Sequence, residues 1–501
     1  MRRISFIYIL SMMSTLSCLG VPADSIQVER HSIWHKISSE SWRNPALHGK
    51  AYQHAHSQLR VGVDNSKQSE AFVLQKGAGK TYYDIEAETF LRLSKRTSVW
   101  GNASYMTGKN RDIFWNSVSD YDLLEPYILA DTLGGDTERE RYVFEGGYAT
   151  QRGSFLLGGE LLFRADHEYR TVDPRMRSVV TDLRLRGGAA YVTNTYHWGA
   201  AIEANIYKQT NNVTFYRETG VIPEYQMTGL GAVYVRFSGE VNNLYFNGGG
   251  VQLYLSAVPR SGNGFFADLC LGEHRYERIA ASLNSLPLTK LYAEQMSGQF
   301  GWCHHGANDF ALSAHVSYVR RLGDENMVGS SLSNNYPILT TLTMYKNHRL
   351  DTYLQAVYGR QRLSSWHVML KGGFRQNKEE YVEPARKMGY SQMYGKLEGQ
   401  YITGLTKQLT LTSGLHGGYY ANTDSELNIP VVNTEAGVVD MLYTNYDFMK
   451  ANYFEADAYI RGDYRIGSSR YGVFLQIGGG YTHCSVGSHE TRVSLNAGMT
   501  F

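Results

Sequence analysis

The sequence predicts an all-β protein, a large antiparallel transmembrane β-barrel of about 18 to 20 strands with a short N-terminal plug-like segment. Long segments alternate apolar and polar residues with period two, and short and long connections alternate along the chain. The composition is rich in Tyr (38) and Gly (51) and poor in Pro (10). Aromatic residues suit pleated sheets, and so few prolines leave little material for linkers between domains.

The composition excludes several other classes of protein. The 501 residues are 43% hydrophobic and 19% charged, with a net charge of +2. Wholesale disorder is excluded by the apolar content, and a near-neutral chain is not expected to bind nucleic acid through its phosphates. No later segment has the ~18 consecutive apolar residues of a membrane helix. An odd number of cysteines follows the N-terminal stretch (Cys270, Cys303 and Cys484), so no disulfide framework is expected.

Residues 1–23 are predicted to be a secretory signal peptide. A basic start at 1–3 precedes a mainly apolar stretch over 4–16, and small residues at 21–23 suit cleavage before Asp24. A lipoprotein signal ending at Cys18 ranks second, because Thr15 stands where Leu is usual.

Residues 24–56 are predicted to form an N-terminal periplasmic or plug segment, and residues 57–501 the barrel. The plug residues are Trp34, Trp42, Asn44 and Pro45. The alternative for this segment is a disordered periplasmic leader.

The C-terminal strand shows the alternation most clearly. Its apolar face carries Val493, Leu495, Met499 and Phe501, which we interpret as a barrel-assembly signal. The charged faces of other strands are predicted to line the lumen. These lumen-lining residues are Asp182, Arg184, Arg186, Glu455, Asp457, Arg461, Asp463 and Arg465. Such mixed charges do not define a strongly ion-selective pore, and they suit a lumen filled by ion pairs or a plug.

The connections predict which end of the barrel faces outward. Turns such as 95–97 and 193–195 are short, whereas 108–140, 209–228, 323–339, 377–389 and 422–450 are long. Short periplasmic turns with long external loops are the outer-membrane pattern. The loops 108–140 and 422–450 are acidic. They are interpreted as solvated loops, as contacts for a cationic ligand or partner, or as a constriction folded back into the lumen.

Counting strands from both termini tests this assignment. The first strands are taken as 70–77 and 81–94, and the count from the C-terminus holds back to residue 264. An odd number of strands must then lie within 229–257, whereas the pattern predicts two, at 229–238 and 244–257. One of these two predictions is therefore wrong.

No motif indicates catalysis or a bound cofactor. His304 and His305 lack metal-ligand spacing, so no metal is expected. The pairs Asp166-His167 and Ser488-His489 are interpreted as polar rim residues, since catalytic groups are recognised by geometry and not by dipeptides. The chain is therefore predicted not to be an enzyme and to need no cofactor.

The chain resembles the uncharacterised outer-membrane β-barrel proteins of Bacteroidota grouped as the DUF6850 family. The resemblance rests on the run from Ser41 to Ala46 (SWRNPA), on strands in which paired glycines precede an aromatic residue, and on the strand 493–501. It implies a location in the outer membrane and a barrel, but no mechanism. The triplet Asn44-Pro45-Ala46 is also similar to the plug of outer-membrane long-chain fatty-acid transporters.

Three functions are left open. The leading hypothesis is a bacterial outer-membrane barrel that passes or binds a solute, or is an accessory to a surface uptake system. The alternatives are a barrel enzyme acting on lipid or peptide at the outer rim, and a structural or assembly barrel. The expected partners are outer-membrane lipids, the barrel-assembly machinery and, for the accessory role, a surface lipoprotein or a TonB-dependent receptor.

Overall fold

Strands of alternating character form one closed sheet. The computed structural model describes residues 24–37, 39–216, 224–237, 243–331, 335–430, 437–467 and 469–501. Within these residues, 18 strands make a single antiparallel barrel, as the sequence predicts. The predicted signal peptide, 1–23, lies outside the described residues.

The strands in chain order include three, β4, β9 and β10, that form a separate small sheet. The full set is β1 (His56–Gln68), β2 (Gly79–Arg92), β3 (Thr97–Ile113), β4 (Leu129–Ala130), β5 (Gly135–Arg152), β6 (Phe155–Tyr169), β7 (Arg175–Val192), β8 (Tyr196–Thr214), β9 (Tyr225–Gly229), β10 (Ala232–Val233), β11 (Asn243–Pro259), β12 (Gly264–Ala280), β13 (Leu286–His304), β14 (Asp309–Val328), β15 (Ile338–Gln361), β16 (Ser364–Tyr381), β17 (Arg386–Gly404), β18 (Leu409–Asn428), β19 (Tyr453–Arg465), β20 (Gly472–Cys484) and β21 (His489–Thr500).

The barrel closes where its first strand pairs with its last. The backbone N–H of Ser57 donates to the carbonyl of Phe501, and the N–H of Phe501 donates back, each at 2.9 Å. Pairing of β1 with β21 removes the free edges that an open sheet would expose. We call the end that holds Phe501 and the short connections the turn end, and the opposite end the loop end.

Apolar side chains cover the outside of the barrel. On β21, Val493 is 59% exposed and Phe501 51% exposed, with Leu495 and Met499 on the same face. Their polar neighbours on the strand point into the lumen, where Arg492 bonds Asp457 on β19. The period-two pattern of the sequence therefore separates a lumen face from an apolar outer face.

Two predicted strands are not part of the barrel. Only β11 (Asn243–Pro259) crosses within 229–257 among the described residues, which meets the odd-number requirement and makes the barrel strand at 229–238 wrong. The predicted strand at 70–77 is also wrong, since this segment contains a 3-10 helix over Leu74–Lys76. Its apolar residues cover a helix instead of lipid, with the rings of Phe72 and Phe448 stacked 5.2 Å apart. The first strand is instead the largely polar β1.

The N-terminal segment occupies the turn end of the lumen. We call residues 24–37 and 39–55 the plug. It contains helices α1 (Ser25–His31), α2 (Ile33–Lys36) and α3 (Pro45–His48), with a 3-10 helix over Ser39–Arg43. Each α-helix begins after a side-chain cap, supplied by Asp24, Ser32 and Asn44 respectively. Such short helices depend on caps and on packing against the wall.

Three segments fold back into the loop end of the lumen. We call residues 114–134, 224–237 and 437–451 the cap. It contains α4 (Tyr121–Leu124), the small sheet, a 3-10 helix over Val235–Phe237 and α5 (Val438–Lys450). Cap residues such as Leu129 and Val438 form one apolar cluster with the wall residues Leu244 and Leu288. Among the described helices, none has both the length and the apolar character needed to cross a membrane.

Candidate functional site

The predicted lumen residues of β7 point inward and are paired. Asp182 is buried and accepts from Arg184 Nη2 at 2.9 Å. Arg186 donates to Glu160 on β6 at 2.7 Å and also to Glu203 on β8. These charges neutralise one another, so this part of the wall is held together by ion pairs.

The predicted lumen residues of β19 are also paired. Glu455 lies 3.1 Å from Lys396 Nζ, and Arg461 bonds Asp463 on its own strand at 2.8 Å. Arg465 lies at the turn end, 3.7 Å from Asp24 at the start of the plug.

The plug docks on glycines of the wall. Asn44 caps α3 by accepting from the Ala46 N–H at 3.0 Å, and its Nδ2 donates to the carbonyl of Ala189 on β7 at 3.1 Å. A Cβ on Gly158 would lie 2.5 Å from the Pro45 and Ala46 backbone. The absence of a side chain at this inward-facing glycine therefore lets α3 approach the sheet closely.

The two plug tryptophans pack in different places, Trp34 against the wall and Trp42 within the plug. Trp34 stacks on the ring of His367 at 6.0 Å and packs against an apolar cluster that includes Ile33. Trp42 stacks on His48 at 6.3 Å and contacts the ring of Tyr52 at 5.5 Å, so it packs within the plug itself.

A buried polar chain joins the plug to the wall. Ser32 Oγ lies 3.4 Å from His367 Nδ1, His367 Nε2 lies 3.0 Å from Asp309 Oδ2, and Asp309 Oδ1 lies 2.6 Å from His305 Nδ1. The hydrogen bond to Asp309 raises the pKa of His305 above its usual value. The order Ser-His-Asp resembles a nucleophilic triad, but Ser32 is only 3% exposed and its oxygen caps α2. The arrangement therefore suits a latch and not an attack on a substrate.

Wall arginines hold the cap in place. Arg321 donates to the carbonyl of Leu123 at 2.6 Å, and Arg278 donates to the carbonyl of Met227 at 2.8 Å. Arg164 binds Asp120 at 2.7 Å. These arginines and their partners are buried or half-buried. The long loops, whose placement the sequence did not decide, therefore lie inside the lumen and are fixed there.

The cap also contains a buried acidic pair. Glu224 and Asp131 both bond the hydroxyl of Ser117, and Arg170 bonds Asp131 at 2.8 Å. Burial, together with the charge of Asp131, raises the pKa of Glu224 to about 8. Glu224 is therefore neutral at pH 7 and sensitive to mildly alkaline conditions.

Three cavities adjoin one another between cap and plug. The cap cavity has a volume of about 360 Å³ and is lined by Tyr121, Glu125, Ser317, Arg349, Asp351, Arg375 and Tyr390, among others. The middle cavity, about 170 Å³, includes Glu40, Arg43, Tyr254, Asp268, Ser317 and Tyr353 in its lining. The turn cavity, about 580 Å³, includes Glu29, Trp34, His54, Arg260, Asp268 and Arg362. Ser317 borders the first two and Asp268 the last two, so the three form one series, which we call the cavity path.

The catalytic candidates of the sequence do not assemble. Asp166 points into the lumen and bonds Arg141 at 2.7 Å, whereas His167 lies on the opposite face, 3.2 Å from Arg177 Nε. Ser488 lies 3.4 Å from Glu70 and not beside a catalytic base. Within the described ranges, no group of three or more His, Cys, Asp or Glu side chains could hold a metal ion.

Arg375 on β16 and the tyrosines around it were missed by the sequence reasoning. Arg375 lies over the rings of Tyr420 and Tyr453, at 4.5 and 5.4 Å from their centroids. The alternation of β16 puts Arg375 on the lumen face, which could have been noticed. Its surroundings depend on cross-strand register and on the cap, which the sequence does not reveal.

These features define a closed 18-stranded barrel whose lumen is occupied at both ends by segments of its own chain. The chain belongs to DUF6850, a family of unknown function, whose family model matches residues 45–501. This confirms the resemblance to that family. No curated protein matches the sequence.

Several solved structures share the barrel architecture at low similarity. The ferric enterobactin receptor of Pseudomonas aeruginosa is 8% identical, with 89% of this chain and 81% of that chain covered and a TM-score of 0.37. The ferric preacinetobactin receptor of Acinetobacter baumannii is 9% identical, with coverage of 89% and 80% and a TM-score of 0.40. The copper transporter OprC is 8% identical, with coverage of 89% and 81% and a TM-score of 0.38. At these TM-scores the likeness does not extend to function.

Proposed function

We propose that this protein is a gated outer-membrane barrel that passes a small hydrophilic solute along the cavity path. The apolar outer face of the barrel supports a membrane location, because a closed sheet can expose apolar side chains to lipid while all backbone groups stay paired. The signal peptide predicted at residues 1–23 agrees with export. An accessory role beside a surface lipoprotein or a TonB-dependent receptor is compatible with such passage.

The single observation that carries the proposal is that the three cavities adjoin one another from the cap to the plug, with Ser317 and Asp268 shared between neighbours. The path begins beside the exposed ion pair of Lys76 and Asp122 at the loop end, since both residues line the cap cavity. It ends at the turn end, where Arg260 and Arg362 line the turn cavity. A barrel filled only for stability would have no need of adjoining cavities along one wall.

The smallest of the three cavities, the middle one, lies at the plug. Glu40 and Arg43, which line the middle cavity, form an ion pair of 2.9 Å on the 3-10 helix. Both side chains are more than a third exposed, so the pair is held weakly and can separate. We therefore assign the gate to this helix and no catalytic step to the barrel.

The gate is tested by the double variant Glu40→Ala with Arg43→Ala in proteoliposomes. Removing both side chains widens the middle cavity, so we expect faster swelling with small neutral and charged solutes and a larger conductance in planar bilayers. The matched control is Lys36→Ala, which removes the ion pair of 2.7 Å between the plug and Glu398 of the wall. Lys36 and Glu398 do not belong to the linings of the three cavities. Equal flux through both variants would show that the path does not run past the 3-10 helix.

The membrane location is tested separately by fractionation. The full chain should sediment with the outer membrane and migrate faster in gel electrophoresis before heating than after, as folded barrels do. Recovery of the folded chain in a soluble fraction would contradict the proposal.

A further inference from the structure

Arg375 is an arginine of the lumen wall without an ion pair among the described residues. Its Nε donates to Gln392 Oε1 at 2.8 Å. Among the described residues it makes no ion pair, and its two Nη atoms donate no hydrogen bond. By contrast, its neighbour on β15, Arg349, pairs with Glu125, and Arg492 pairs with Asp457. Arg375 lines the cap cavity, so its free donors face a space large enough for a small solute.

Aromatic rings hold the Arg375 side chain in position. Tyr394, Tyr420 and Tyr453 are cross-strand partners on β17, β18 and β19, and their rings stack at 5.2 and 4.1 Å. The guanidinium of Arg375 lies over the second and third of these rings. Cation–π contact on one side and the bond to Gln392 on another fix the plane of the group and leave its two terminal nitrogens available.

We propose that Arg375 is the anion-binding group of a subsite for a small solute that carries one carboxylate group. Two parallel Nη–H donors match the two oxygens of a carboxylate, and such charge-assisted pairs are strong in a partly desolvated cavity. The proposal rests on the proposed function, because it names the class of solute that would use the cavity path.

The other charges of the cap cavity favour a single negative charge. Asp351 is the register partner of Arg375, and its Oδ1 accepts from the Tyr394 hydroxyl at 2.7 Å. Glu379 also lines the cavity. A phosphate or dicarboxylate would bring a second negative charge close to these carboxylates, whereas a monocarboxylate brings only the one charge that the Arg375 guanidinium can match.

The subsite is also connected to the cap. Gln392, which bonds Arg375, donates through Nε2 to the carbonyl of Ala451 at 2.8 Å, immediately after α5. Met449 of α5 lines the same cavity. A solute bound at Arg375 would therefore contact a wall residue and a cap helix at once.

The test measures binding to the purified full chain in detergent micelles by ligand-observed NMR. The probes are acetate and benzoate, with benzamide as the neutral analogue of the same shape and benzylamine as the cation. We expect both carboxylates to bind more tightly than benzamide. Arg375→Gln should weaken carboxylate binding by about 10- to 100-fold, the loss of a charge-assisted pair, with benzamide unaffected.

Two variants keep the result interpretable. Lys371→Gln removes a lumen cation on the same face of β16, four residues away and stacked over Tyr353 at 5.1 Å, and should leave carboxylate binding unchanged. Arg375→Lys keeps the charge but not the planar fork, so it should bind carboxylates with intermediate affinity. Heat-modifiable migration verifies that each variant is folded.

The outcomes separate this inference from the proposed function. Preference of the wild-type chain for benzamide or benzylamine over benzoate, or an equal loss of binding in Arg375→Gln and Lys371→Gln, would overturn the carboxylate subsite. Binding in micelles does not require passage. Carboxylate binding without flux in liposomes would therefore refute passage and leave the subsite standing. Flux without carboxylate binding would refute the subsite and leave passage standing.

Discussion

The docking of the plug can be tested by adding one methyl group to the wall. Gly188 on β7 faces the lumen beneath Asn44, and a Cβ there would overlap Asn44 Oδ1 and lie 3.0 Å from Pro45 Cδ. Gly188→Ala should therefore displace the Asn44 side chain and undock α3. The neighbouring residue Gly187 faces outward, where a Cβ would have no described heavy atom within 4 Å. Gly187→Ala is the matched control.

The size of the effect follows from what Asn44 would lose. Displacement breaks the cap of α3, which is worth about 0.5–2 kcal/mol. It also breaks the bond to the Ala189 carbonyl and leaves a buried amide unpaired, at a cost of about 1–3 kcal/mol. Together these terms predict that plug docking weakens by about 1.5–5 kcal/mol, a factor of about 10 to 5,000 in the docking equilibrium.

Limited trypsin digestion in micelles measures this equilibrium, because Lys36, Arg43 and Lys50 lie in the plug. When opening is fast compared with cleavage, the cleavage rate follows the open population. We expect plug cleavage at least about 10-fold faster in Gly188→Ala and unchanged in Gly187→Ala. A rate in Gly188→Ala equal to that of the wild-type chain would refute the docking of Asn44 on the wall.

Two further predictions concern the latch and the cap. Asp309→Ala removes the carboxylate between the two histidines and leaves Nε2 of the buried His367 unpaired. Plug cleavage should therefore accelerate by the equivalent of about 1–3 kcal/mol, with Asp309→Asn less affected, and no change would exclude the latch. Glu224 has a folded pKa of about 8, above its ordinary value of 4.5, so its contribution to cap stability is fully present below pH 4.5 and is lost as the pH rises through 8. The protection of cap amides, measured from their hydrogen-exchange rate relative to the intrinsic rate at the same pH, should therefore be lower at pH 9 than at pH 6 in the wild-type chain, and this loss of protection should disappear in Glu224→Gln.

The sequence predicts the wall of the barrel far better than its contents. Alternation with period two follows from backbone geometry alone, so the faces of β7, β19 and β21 are read directly from residues such as Arg186 and Val493. The errors at 70–77 and 229–238 share one cause. Both segments carry apolar residues that pack in the apolar cluster of the cap, as Leu230 and Leu74 do, and alternation cannot distinguish an apolar face toward lipid from one toward this cluster inside the lumen.

The same limit applies to the candidate site. Nothing in the sequence around Arg375 distinguishes it from Arg186, since both stand on charged faces of long strands. The difference arises in three dimensions, because β6 and β8 supply Arg186 with two carboxylates, whereas Asp351, beside Arg375, bonds a tyrosine. Pairing across strands is set by register, and register is not visible in composition.

These pairings account for the near-neutral charge of the chain. Wall arginines are matched by wall carboxylates, as in Arg186 with Glu160, or by groups of the cap, as in Arg321 with the Leu123 carbonyl. A lumen of this kind is filled by its own ion pairs and offers a passing solute little net field. Discrimination among solutes then depends on the few groups left unmatched. Arg375 is such a group among the described residues, and it lies where the cavity path passes beneath the cap. Under the proposed function, the balance of charges that hides the solute in the sequence makes the unpaired guanidinium of Arg375 a point at which the barrel can select a solute.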